Sequence, residues 1–146
     1  MRICIVGAGS IGGLIGARLA ALGTHEVSAL ARGATLQSLQ REGWQLRSPD
    51  GDVRVAAVAT DDAAALGVQD AVIIAVKGPA LAALAPQLAP LLGPKTLIVP
   101  AMNGVPWWFC DRVTEFEGHR LRSIDPDGVL AQNLPMRLAL LDVWYR

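Results

Sequence analysis

A short apolar run, Arg2-Ile3-Cys4-Ile5-Val6, passes at once into Gly7-Ala8-Gly9-Ser10-Ile11-Gly12, and an apolar helical pattern from Leu14 to Leu22 follows. Strand, GxGxxG turn and helix, in that order, are the local context of a dinucleotide-binding turn. Each glycine has its own physical reason. Gly7 permits the tight turn out of the strand, Gly9 lets the backbone approach a pyrophosphate, and Gly12 lets the helix pack closely on the strand. The amides and dipole at the helix N-terminus favour an anion, so Ala8, Ser10 and Ile11 join the three glycines as candidate contacts. The same string also fits an ordinary strand-to-helix turn of an α/β domain.

With 146 residues, 52% of them hydrophobic, the chain can bury the core of one domain and does not read as disordered. Thirteen basic residues balance thirteen acidic ones, so no charge excess points to nucleic acid or an anionic membrane. The apolar stretch Ile3–Leu22 is interrupted by Arg18 and several glycines and changes from strand to helix pattern midway. It therefore lacks the run of about 20 apolar residues that a spanning helix needs. Gly12 and Gly16 spell GxxxG, which has no membrane meaning without such a run. Cys4 and Cys110 have no CxxC partner. Both read as packed residues in a reducing compartment, and the expected location is cytoplasmic.

Further along, Glu26–Ala31 reads as a second strand and Ala34–Arg41 as a second helix. Trp44–Arg47 and Val53–Val55 alternate around Ser48-Pro49-Asp50-Gly51, the pattern of a hairpin. Asp61-Asp62 reads as the cap of a short alanine-rich helix. Ala71–Val76 is continuously apolar, as a parallel strand covered on both faces should be. A helix over Ala80–Leu92 is expected to be broken by Pro86 and Pro90. Thr96–Pro100 is the next strand. A helix over Val105–Val113, an extended Gly118–Ser123, and a short helix Val129–Asn133 capped by Asp127 complete the reading. This alternation predicts a Rossmann-like, mostly parallel, doubly wound α/β sheet in a single domain over residues 1–133, with 134–146 as a tail whose open readings are a strand, a helix and an aberrant terminus from a shortened reading frame.

In such sheets ligands bind beyond the carboxyl ends of the strands. Four strand ends supply the glycine turn, Arg32, Lys77 and Asn103. An acid at the end of the second strand would suit a ribose 2′-hydroxyl; here Ala31-Arg32-Gly33 presents a guanidinium, which suits a 2′-phosphate, so NADP is favoured over NAD. The alternative for Arg32 is a solvated strand end. Lys77 is either a cation in the cleft or a lysine snorkelling from a buried strand. Asn103 is either an amide near the reacting carbonyl or a turn residue, since Asn-Gly favours turns. His25 and His119 read as surface residues, and no metal-ligand, paired-carboxylate or Ser-His-Asp constellation can be assembled.

Four segments together resemble the ketopantoate reductase (2-dehydropantoate 2-reductase) family: ICIVGAGSIGGLIG at Ile3–Gly16, LARG at Leu30–Gly33, VKGP at Val76–Pro79 and MNGV at Met102–Val105. The first is generic to dinucleotide-binding domains. The strand-ending Arg, Lys and Asn-Gly are more specific. The resemblance implies NADPH-dependent reduction of a 2-oxo acid, ketopantoate to pantoate in pantothenate biosynthesis. By position it implies that Gly7, Gly9 and Gly12 hold the pyrophosphate and Arg32 the 2′-phosphate. Lys77 would lie by the cofactor, and Asn103 would position substrate and nicotinamide. Family members continue into a helical second domain with the general-acid lysine and a substrate-binding acid, which these 146 residues do not include. The expected result is a cofactor-binding domain with weak or no turnover alone. A non-catalytic dinucleotide-binding module and a dehydrogenase of a sugar or polyol phosphate are the other readings. Trp107-Trp108-Phe109 either packs under a helix or lies exposed by the cleft, where it would favour a homodimer.

Overall fold

Arg2–Val6 forms the central strand, β1, of the computed structural model, which describes residues 1–49, 51–116 and 118–134. The chain continues through α1 (Ser10–Ala21), β2 (Glu26–Leu30), α2 (Gly33–Glu42), β3 (Trp44–Leu46), β4 (Val53–Val55) and β5 (Val58–Thr60). Then come α3 (Ala63–Leu66), β6 (Ala71–Ile74), α4 (Gly78–Leu84), a 3-10 stretch (Ala85–Leu91), β7 (Leu97–Pro100) and α5 (Val129–Asn133). Five strands pair in parallel in the order β5-β2-β1-β6-β7, with Ile3 opposite Val27 on one side and Ala71 on the other. The strand order reverses between β1 and β6, which is where an open α/β sheet opens a crevice.

Alternation along β1 divides the core in two. Cys4 and Val6 join a cluster with Leu81, Leu88, Leu91 and Leu130 on one face, while Ile3 and Ile5 join Ala17, Leu39 and Trp44 on the other. Both faces of β1 and β6 are therefore covered, which explains their unbroken apolar sequences. The hairpin pairs Trp44 with Val55, and the buried Trp44 ring lies against α1 at Gly16. A methyl group at Gly16 would overlap that ring, so Gly16 serves the close packing of α1 on the hairpin. Among the described residues no helix is long and apolar enough to cross a membrane.

The caps follow local chemistry. Asp62 accepts a hydrogen bond from the Ala64 amide at 2.9 Å, as the sequence suggests. At α5 the cap is Asp125 rather than Asp127: its buried carboxylate accepts from the Leu130 and Ala131 amides, both at 3.0 Å. The turn places Gly128 in the left-handed region, and this brings Asp125 rather than its neighbour over the helix start. Prolines do break the Ala80–Leu92 helix, into α4 and the 3-10 stretch.

Three further expectations need correction. Val105–Val113 is not an α-helix but 3-10 turns, with Phe109 donating to Pro106 and Asp111 to Trp108. The tighter period puts Trp107 and Cys110, three residues apart, into the core together. Over 118–123 the chain turns rather than extends, with no strand partner. His25 is half-buried, with Nδ1 buried and unpartnered among the described residues, rather than a surface residue. The strand β5 escaped the sequence reading, and the expectations for Asp50 and for residues 135–146 lie outside the described residues.

Cys4 and Cys110 are both buried free thiols. Burial pushes the Cys4 thiol up from 9.0 to about 11, only partly offset by hydrogen bonds from Ser28 and the Leu30 backbone. The folded state therefore holds the proton more tightly than the unfolded chain does, so this contribution to stability is complete below pH 9.0 and declines as pH rises towards about 11. In guanidinium titrations across that range, Cys4→Ala is expected to show a shallower loss of stability than the wild type. Equal slopes would remove the role of Cys4.

Candidate functional site

Because the five strands are parallel, all their carboxyl ends lie on one edge. Read across that edge, the strand order is β2, β1, β6, β7, which places Arg32, the glycine turn, Lys77 and Asn103 in that sequence.

The glycine turn leaves β1 through Gly7, which sits at φ +87 and donates its amide to the Leu30 carbonyl at 3.0 Å. A methyl group there would come within 2.6 Å of Val76 Cγ1. At buried Gly12 it would overlap the Gly7 carbonyl oxygen and approach Ala75. Gly9 differs from both: it is exposed, and an added methyl would meet no protein atom within 4 Å. Gly9 is also the N-cap of the 12-residue α1, with no side-chain cap and no acid in the first turn. Among the described residues the first-turn amides thus have no side-chain cap, and they lie at the positive end of the helix dipole beside the exposed Gly9. Gly7 and Gly12 are required by the protein's own packing, whereas no protein atom fills the space beside Gly9. That donor set fits a dinucleotide pyrophosphate.

Arg32 is the exposed N-cap of α2, and its Nη2 donates to Gln87 Oε1 at 2.5 Å. The amide of Gln87 in turn donates from Nε2 to the Ala83 carbonyl at 2.9 Å. Gln87 had no signal in the sequence, because 55 residues separate it from Arg32 and it falls on an irregular, proline-broken segment. Lys77 is the exposed N-cap of α4; its carbonyl accepts from the Ala80 amide at 3.0 Å, and its side chain makes no hydrogen bond or ion pair among the described residues. Asn103 lies exposed just past β7, before Gly104 at φ +110.

Two hollows border this edge. One of about 490 Å³ lies between the glycine turn, α2 and the hairpin, with Gly9, Ser10, Thr35, Ser38 and Trp44 in its wall. The other, about 1300 Å³, is a largely apolar groove beside β7, lined by Pro79, Met102, Asn103, Trp107, Trp108 and Phe109 among others. Trp107 is buried, Trp108 half-buried and Phe109 exposed, so the aromatic triplet neither packs wholly under a helix nor lies wholly free.

The family model for ketopantoate reductase PanE/ApbA matches residues 3–106, a span that contains the glycine turn, Arg32, Lys77 and Asn103. The chain belongs to the ketopantoate reductase family. A 2-dehydropantoate 2-reductase of Mesorhizobium japonicum is 43% identical over 141 residues, which cover 94% of this chain and 43% of that protein. A crystal structure described as a candidate ketopantoate reductase, from Ralstonia solanacearum MolK2, superposes with a TM-score of 0.87 at 55% identity, covering 92% of this chain and 41% of that one. A PanE/ApbA family ketopantoate reductase from Ralstonia eutropha JMP134 does so with a TM-score of 0.66 at 30% identity, covering 76% of this chain and 36% of that one. The chain thus spans less than half the length of these relatives, and its single Rossmann-like sheet corresponds to part of the family's architecture.

Proposed function

We propose that the chain is the cofactor-binding part of an NADPH-dependent reductase that converts a 2-oxo acid, 2-dehydropantoate, to its 2-hydroxy acid, pantoate. The observation that carries this reading is the guanidinium of Arg32 at the end of β2, one strand away from the open glycine turn. On this reading Arg32 would hold the 2′-phosphate of the dinucleotide, Gly7, Ala8, Gly9, Ser10, Ile11 and Gly12 would hold its pyrophosphate, and Lys77 and Asn103 would serve its nicotinamide end. When bound, the nicotinamide supplies the hydride. The cation of Lys77 attracts the carboxylate of the substrate and the negative charge that develops on its carbonyl oxygen, and the amide of Asn103 orients the carbonyl. The two buried free thiols suit a reducing, cytoplasmic setting.

Fluorescence titration of the 146-residue chain tests the reading. NADPH is expected to bind at least about tenfold more tightly than NADH, the scale of one charge-assisted phosphate contact. Binding of neither, or equal binding of both, overturns it. Adding 2-dehydropantoate to the NADPH complex is expected to give little or no oxidation, because we place the proton donor in the part of the relatives that this chain does not span. Brisk turnover would put that donor within these residues.

A further inference from the structure

Arg32 and Gln87 belong to connections on opposite sides of β1, one leaving β2 and the other joining β6 to β7, yet their side chains meet at 2.5 Å. The polarity of the contact is set locally. The Nε2 group of Gln87 is taken by the Ala83 carbonyl four residues back, which leaves Oε1 as the atom that faces Arg32. The contact uses one of the five guanidinium N–H donors and leaves the others free to bond elsewhere. A carboxamide also accepts this bond without cancelling the positive charge, which a carboxylate in its place would do.

From this arrangement we infer that Gln87 is a positioning residue for cofactor choice. It steadies the guanidinium of Arg32 at the adenosine end of the crevice, with the charge and remaining donors directed to a 2′-phosphate. The inference rests on the proposed role of Arg32. An exposed arginine otherwise samples many rotamers, and a partner that narrows them reduces the ordering cost of binding. Among the described residues the side-chain hydrogen bonds of Gln87 go to Arg32 and Ala83 and none to the glycine turn, so its influence falls on the one feature that separates NADPH from NADH.

The test is a set of NADPH and NADH titrations on the 146-residue chain carrying Gln87→Ala or Gln87→Glu, each alone and with Arg32→Ala. Gln87→Ala is expected to weaken NADPH about threefold by releasing the arginine. Gln87→Glu is expected to weaken it about tenfold or more, by neutralising Arg32 and repelling the phosphate. NADH affinity should change by less than about twofold in both, and thermal melting should be unchanged because Gln87 is exposed. With Arg32→Ala present, Gln87→Ala should not further weaken NADPH, and Gln87→Glu should weaken it only by the repulsion that remains. A parallel loss of NADPH and NADH affinity, a Glu variant no worse than Ala, or a Gln87→Ala loss that persists without Arg32 overturns the inference. If Arg32→Ala leaves the NADPH-to-NADH ratio untouched, the cofactor reading itself has failed and takes this inference with it. If that ratio collapses while the Gln87 variants bind NADPH like the wild type, only the role of Gln87 is lost.

Discussion

Gly12→Ala is expected to lower the melting temperature of the protein sharply, while Gly9→Ala, three residues away in the same motif, is expected to leave the fold intact and damage only cofactor binding. The new methyl group at position 12 would overlap a backbone carbonyl, that of Gly7, rather than the end of a flexible side chain. Neither partner can give way easily. The Gly7 amide is tied to Leu30, and α1 is pressed against Trp44 through Gly16. Overpacking a core usually costs about 1–3 kcal/mol, and an overlap with fixed backbone belongs at or above the top of that range. Against a total stability of about 5–15 kcal/mol, that amounts to a fall in melting temperature of about 8 °C or more for a domain of this size.

At position 9 the backbone has ordinary extended angles, φ −74 and ψ −154, and a methyl group meets no protein atom. The stability change should stay within about 1 kcal/mol, the scale of a helix N-cap substitution. Yet the methyl occupies the space through which a pyrophosphate approaches the helix amides, so NADPH affinity should fall at least about tenfold, or about 1.4 kcal/mol. Circular dichroism melting and NADPH titration of both variants check the contrast. A Gly9→Ala protein that binds NADPH normally would remove the turn from the binding site.

Arg32→Ala is expected to lower NADPH affinity by about ten- to a hundredfold and to change NADH affinity by less than about twofold. A hydrogen bond to a charged group contributes about 1.5–3 kcal/mol, and every 1.4 kcal/mol is a factor of ten in affinity. The exposed setting of Arg32 means that solvent ions screen the contact. The wild-type preference for NADPH should therefore narrow as salt is raised, and the variant should show almost no such dependence. Titrations of both cofactors at low and high ionic strength decide the matter. An equal loss for both would reassign Arg32 to a general role in folding or binding.

Much of this site was legible in the linear chain because its signals are local. The apolar run of β1, the glycine spacing and the helical pattern of α1 are each set by residues within a few positions, and the structure places β1 on the expected residues and ends α1 one residue before Leu22. Asp62 caps its own helix, so its role could be read locally too. Errors arose where local signals were short or competed. The strand β5 is three residues long, too short to show a period, and exists because β2 offers it a pairing edge. The 3-10 turns at Phe109–Arg112 occur where a helical composition yields to the packing of Trp107 and Cys110 into the core.

The sequence by itself determined the family, the α/β class and the residue types that close each strand, because apolar periodicity and glycine placement act through neighbouring residues. The tertiary structure alone decided what those residues meet. It put the glycine turn where the strand order reverses, and it showed that Gly12 and Gly16 yield to backbone and to Trp44 while Gly9 faces open space. It also brought Gln87 across 55 residues to Arg32. Such meetings depend on which strands lie side by side, and that order is set by burying both faces of one sheet rather than by any short stretch of chain.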